Sequence, residues 1–220
     1  MSKPYLDYDL VPFGVRTNFF CEKDTSRLLR QLSTLNLNGK QMRTSSILKS
    51  HFPVSLLGEG IPNLPIKIIY IYRDPVDVMI SLWRLSHQVE WLEGAKTLSP
   101  LDLAKHVPTG QSQRYQKQSF PTYLIRWASH VNDGITASLQ FNNVTTVNYK
   151  LLLEFHAKTT IKTCQKLDIR LLSDPSCPMR QENIIKGKGL QLDHATHQIL
   201  SEYCSEEISK FPKVKEALEN

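Results

Sequence analysis

The most constraining stretch of this 220-residue chain is KIIYIYRDPVDVMISLW, residues 67–83. Ile68 to Tyr72 is an unbroken run of β-branched and aromatic residues, the composition of a strand. It has no polar alternation. The sequence therefore predicts a strand over 66–72 that is buried on both faces, as in the middle of a parallel sheet. A helix is predicted over 75–91, because aspartate at 74 suits an N-cap and proline at 75 suits a first turn. Asp77 follows Asp74 by three residues and fits a capping box with aspartate in place of glutamate. Arg73 thus lies just ahead of a helix start, where backbone N–H groups and the helix dipole favour an anion. Its planar donor fork suits phosphate oxygens. Ser81 stands two helical turns along and reaches the same anion if that anion lies along the helix edge. Taken alone, the turn equally suits a plain surface salt bridge, and Ser81 an ordinary solvent-facing position.

The rest of the chain alternates in the same way. Leucines 28, 29, 32 and 35 set a helix over 22–35. Short strands are predicted over 45–48 and 143–147, and LDYDLV near the N-terminus reads as a weak one. Helices are predicted over 100–106, 120–139, 150–167 and 193–211, with a polar loop over 110–119. This order predicts one α/β domain over 1–220, a central, mostly parallel sheet flanked by helices on both faces. In such sheets ligands sit beyond the carboxyl ends of the strands.

A second segment supplies chemistry. Lys49 and His51 follow a predicted strand in ILKSHFPVSLL and share one face if the chain stays extended. Histidine removes a hydroxyl proton near neutral pH, and lysine stabilises negative charge developing on a transferred group. Net charge of +6 favours an anionic partner such as a nucleotide. The basic residues are not interleaved with aromatics, which argues against nucleic acid. No run of 18 apolar residues predicts a membrane span, and the N-terminus lacks a secretory h-region, so the expected location is cytoplasmic. The four cysteines form no C-x-x-C pair and read as reduced and structural. His194 and His197 read as surface histidines, and no metal site is expected.

The two segments together resemble the cytosolic-type sulfotransferases. That family has a K-T/S-H-x-P segment, seen here as Lys49-Ser50-His51-Phe52-Pro53. A strand and then R-[DN]-P-x-D-x-x-x-S follow it, seen here from Arg73 to Ser81. Trp127-Ala128-Ser129-His130-Val131 resembles the family's W-x-x-H-V helix. VTTVNYKLL, from Val144, resembles its strand and Y-E-D-L turn, with Lys150 in place of glutamate. Ile185-Lys186-Gly187 resembles its R-K-G element, with Ile185 for the arginine. The similarity is best over 45–200 and implies the P-loop-NTPase-like sulfotransferase fold.

The resemblance implies transfer of a sulfuryl group from 3′-phosphoadenosine 5′-phosphosulfate to the hydroxyl or amine of a small-molecule or glycan acceptor, without a metal. It implies His51 as general base and Lys49 on the sulfate. Arg73, Ser81, Lys186 and Gly187 would hold the 3′-phosphate, and Tyr149 would lie against the adenine. The family's opening P-K-S-G-T-T-W loop has no clear counterpart in 1–44. The nearest stretch, PFGVRTNFF, offers Gly14, Arg16 and Thr17. Three readings follow: a divergent working loop, a shortened chain, or a relative that binds adenosine 3′,5′-bisphosphate without efficient transfer.

Overall fold

The computed structural model describes residues 5–7, 47–49, 53–55, 67–88, 96–97, 99–109, 118–175 and 192–219. The expected helix over 22–35 lies outside them. Strand β1 (Tyr5–Asp7) pairs in parallel with β2 (Ile47–Lys49), matching Asp7 to Lys49. Strand β3 (Ile68–Tyr72) pairs in parallel with β4 (Val144–Asn148), from Ile68 on Val144 to Tyr72 on Asn148. Parallel pairing is therefore present. Among the described residues it forms two separate two-stranded sheets, not the single central sheet the alternating pattern predicted. The weak LDYDLV signal marks a real strand, shifted toward the N-terminus. The strand predicted over 45–48 runs over Ile47–Lys49, so Lys49 is its last residue.

The chain crosses from β3 to β4 through three helices, α1 (Pro75–Gln88), α2 (Pro100–Lys105) and α3 (Tyr123–Gln140). Each starts on a side chain that accepts otherwise orphaned N–H groups. Asp74 Oδ1 accepts from Val76 N at 2.9 Å. Ser99 Oγ accepts from Asp102 N at 3.1 Å, and Thr122 Oγ1 from Ile125 N at 3.0 Å. After β4, the helix predicted over 150–167 proves to be two, α4 (Tyr149–Glu154) and α5 (His156–Lys166). They break at Phe155, whose φ of −129° and ψ of 48° leave the helical region. The helix expected over 193–211 is α6 (His194–Ile208), and a further helix the sequence reading did not include, α7 (Pro212–Glu219), follows it from Pro212, which lacks the N–H a continuous helix would need.

The core forms where α1, α2, α3, α6 and α7 meet. Met79, Leu103, Leu124, Val131, Leu200 and Val214 are each at most 1% exposed there. Tyr70 and Tyr72 of β3 pack against that core, while Ile69 and Ile71 on the other face are 46% and 53% exposed. The expectation of a strand buried on both faces is thus corrected. Helices cover the Tyr70 and Tyr72 face of β3, and α5 contacts β4. On the covered face the packing is close. A Cβ built on Gly134 of α3 would stand 2.5 Å from the Tyr70 ring, so only glycine lets helix and strand approach this closely.

This contact yields a prediction. In an exposed helix, Gly→Ala stabilises by about 1 kcal/mol. Here overpacking of about 1–3 kcal/mol outweighs that gain, so Gly134→Ala is expected to lower the thermal midpoint. A raised midpoint in calorimetry would mean that Tyr70 yields without cost.

Candidate functional site

The end of β3 and the end of β4 carry the first part of the site. Tyr72 pairs with Asn148, so the parallel register delivers the next residues, Arg73 and Tyr149, side by side. The Arg73 guanidinium carbon stands 5.4 Å from the centre of the Tyr149 ring, within cation–π range. Arg73 Nε also donates to Asp77 Oδ2 at 3.2 Å. Asp77 thus turns to the arginine, and the expected capping-box role gives way to an ion pair. Both side chains are largely exposed, at 42% and 54%, so the pair stabilises the fold by at most about 0.5 kcal/mol. An anion of higher charge can displace that carboxylate from Arg73 at little cost to stability.

The helix N-terminus contributes less than its position suggests. Asp74 Oδ1 already accepts from Val76 N at 2.9 Å and Asp77 N at 3.3 Å. An anion at this end of α1 meets the Arg73 guanidinium rather than those two amides. Ser81 is exposed on α1, eight residues after Arg73. That is about two helical turns, roughly 10 Å of rise from the cap, so an anion spanning both must lie along the helix edge. Arg73 and Tyr149 are brought together; Ser81 is on the same helix but further along.

The other expected site residues are placed less fully. Lys49 ends β2, where its backbone is paired beside Asp7. His51, Lys186 and Gly187 lie outside the described residues, as do Arg16 and Thr17. Pro53 of the same K-S-H-F-P segment and the following Val54 and Ser55 are described. Val54 is 4% exposed and packs with Ala137 of α3 and Val144 of β4. Beside this turn opens a cleft of about 110 Å³ lined by Pro53, Ser55, Gln118, Phe120, Ser129, His130 and Asp133.

His130 lines that cleft, and the sequence pattern assigned it no role. Its Nε2 is buried with no hydrogen-bond partner among the described residues, as is Arg126 Nε one turn earlier. Phe120 meets the His130 ring edge-on, with centroids 5.8 Å apart. Burial, then the neighbouring Arg126 charge, holds His130 down to about 4 from an ordinary 6.5, so it is neutral at pH 7. Tyr70 is pushed up, first by burial and then by the Asp133 carboxylate, with Arg126 opposing. The i, i+4 spacing of Arg126 and His130 was visible in the sequence. Their burial was not, because it depends on segments distant in the sequence, such as Pro53, that come to lie beside α3.

Elsewhere, among the described residues, Cys164 and Cys204 are free thiols, and burial followed by the nearby Asp74 charge pushes Cys204 up to about 12; Cys21 and Cys177 lie outside the described residues. Trp83 is buried and Trp127 packs against the core. Among the described residues no helix is long and apolar enough to cross a membrane.

The depressed His130 fixes a pH dependence. Between about pH 6.5 and 4 the unfolded chain takes up a proton that folded His130 refuses, so stability falls as pH drops through that window. Denaturant titrations at pH 7 and pH 4.5 should show a smaller loss for His130→Gln than for wild type. Equal losses in the two proteins would mean that His130 is free to protonate in the fold.

Comparison with known proteins bears directly on these strand ends. A family model described as a sulfotransferase domain matches residues 6–187, which includes the N-terminal stretch with no recognised phosphate loop. Among curated relatives, Cytosolic sulfotransferase 16 of Arabidopsis thaliana is 39% identical over 54 residues, 24% of this chain and 16% of the relative. Amine sulfotransferase of Oryctolagus cuniculus is 42% identical over 52 residues, 24% of this chain and 17% of the relative. Cytosolic sulfotransferase 17 of Arabidopsis thaliana is 34% identical over 50 residues, 23% of this chain and 14% of the relative. Each alignment thus spans about a sixth of the relative's length. With the domain matched from residue 6 to residue 187, the chain belongs to the sulfotransferase family.

Proposed function

We propose that the protein transfers a sulfuryl group from 3′-phosphoadenosine 5′-phosphosulfate to an acceptor hydroxyl or amine, with His51 as general base. The observation that carries this reading is Arg73 beside Tyr149 at the carboxyl ends of two parallel strands. A guanidinium in a weak, exposed ion pair suits a phosphate, and an adjacent tyrosine ring suits a base. The described residues thus fit the 3′-phosphoadenosine end of such a nucleotide. The pairing of β1 with β2 supports the reading further. It sets Tyr5–Asp7 beside the strand that ends in Lys49, as a phosphate-binding loop after β1 would require.

When bound, the nucleotide supplies an activated sulfuryl group on a phosphate leaving group. Arg73 and Ser81 would hold the 3′-phosphate with Lys186 and the Gly187 backbone, while Tyr149 would flank the adenine. His51 would take the proton from the attacking acceptor atom as it bonds to sulfur. Lys49 would balance the charge gathering on the leaving oxygen, which departs as adenosine 3′,5′-bisphosphate. Two of the relatives are named as cytosolic, which supports a cytoplasmic location.

Calorimetry with adenosine 3′,5′-bisphosphate and a radiolabelled sulfate-transfer assay test the reading together. His51→Ala should lower transfer by about 10²–10⁴-fold and leave bisphosphate affinity unchanged. Arg73→Ala should weaken that affinity by about 10–100-fold, the value of a charge-assisted hydrogen bond. Unchanged transfer by His51→Ala would remove the base assignment. Tight bisphosphate binding with no wild-type transfer across hydroxyl and amine acceptors would favour a binding relative instead.

A further inference from the structure

The segment after β2 is held at its far end by a contact that joins residues distant in sequence. Ser55 N–H donates to Asp133 Oδ2 at 2.8 Å, across 78 positions. The neighbouring Pro53 and Val54 are buried, and Val54 is seated against Ala137 and Val144. Upstream, the ladder between β1 and β2 fixes the backbone as far as Lys49. His51 therefore lies on a short span of chain between two anchors: a strand pairing at Lys49 and a carboxylate at Ser55.

We infer that Asp133 is a positioning residue for transfer, tying the chain four residues after His51 to α3 through the Ser55 amide. This deepens the functional reading above and rests on it. A proton-accepting side chain must be kept close to its productive geometry, and displacement by about 1 Å costs about 10²-fold in rate. Val54 packing is non-directional, whereas a hydrogen bond to a carboxylate on α3 fixes the direction of the Ser55 N–H. Helix α3 is suited to this role because Gly134, the next residue, is packed against Tyr70 of β3. Ser55 is thus referenced to the same strand that leads into Arg73.

The test uses Asp133→Ala and Asp133→Asn in the full chain. Asparagine keeps an oxygen that accepts from Ser55 N; alanine does not. Asp133→Ala should lower kcat by about 10–100-fold, with acceptor KM and adenosine 3′,5′-bisphosphate affinity unchanged. Asp133→Asn should restore most of that loss. Amide hydrogen exchange read by NMR should show Ser55 protected in wild type and Asp133→Asn but not in Asp133→Ala. Unchanged kcat in Asp133→Ala overturns the inference, as does an equal loss in Asp133→Asn. A raised acceptor KM at constant kcat also overturns it, since Asp133 would then contact the acceptor directly. A fall in bisphosphate affinity parallel to kcat would mean general loss of structure and would equally overturn it. If wild type transfers no sulfate, the functional reading fails and this inference with it. If wild type transfers and Asp133→Ala matches it, the positioning role alone fails.

Discussion

The parallel register of β3 on β4 is the constraint on which the rest depends. It matches Ile68 to Val144 and Tyr72 to Asn148, and it brings Arg73 and Tyr149 to the same edge. A slip of one residue would send Tyr70 and Tyr72 to the uncovered face and carry Arg73 away from the Tyr149 ring. The register is enforced from the side. Tyr70 occupies the space a Cβ on Gly134 would need, which keys one position of the strand to one position of α3.

Helix α3 connects the separate parts of the molecule. Leu124 and Val131 are in the main core, Ala137 meets Val54, and Asp133 takes the Ser55 amide. On this helix Arg126 and His130 have buried nitrogens without partners among the described residues, and His130 is held neutral. Arg73, at the end of β3, is by contrast 42% exposed, and its ion pair is with a carboxylate that is itself exposed. A half-solvated cation with a weak partner can exchange it for a ligand. A buried, uncharged histidine at a cleft instead contributes a directional hydrogen-bonding nitrogen with no charge.

Much of the local structure was legible in the sequence. The N-cap at Asp74, the strand over Ile68–Tyr72 and its helix, and the short helix from Pro100 follow from side chains that act on their own backbone within a few residues. Other features misled for physical reasons. Ile69 and Ile71 are as apolar as a fully covered strand requires, yet both are exposed. Asp77 had two partners within reach, the helix start and Arg73, and the ion pair prevailed. The break at Phe155 lies in a segment whose helical periodicity runs through it.

The sequence by itself determined the family resemblance and the local chemistry: a permanent cation between a strand and a helix, and a lysine and histidine two residues apart after another strand. These are short-range patterns, and backbone propensity and capping act over the same range. Only the tertiary structure decided which face of β3 is covered, that Arg73 meets Tyr149, that His130 is uncharged, and that Ser55 is tied to Asp133. Each of those is a contact between residues far apart along the chain. Such contacts arise from the register of parallel strands and the close approach of Gly134 to Tyr70, which leave no local signature.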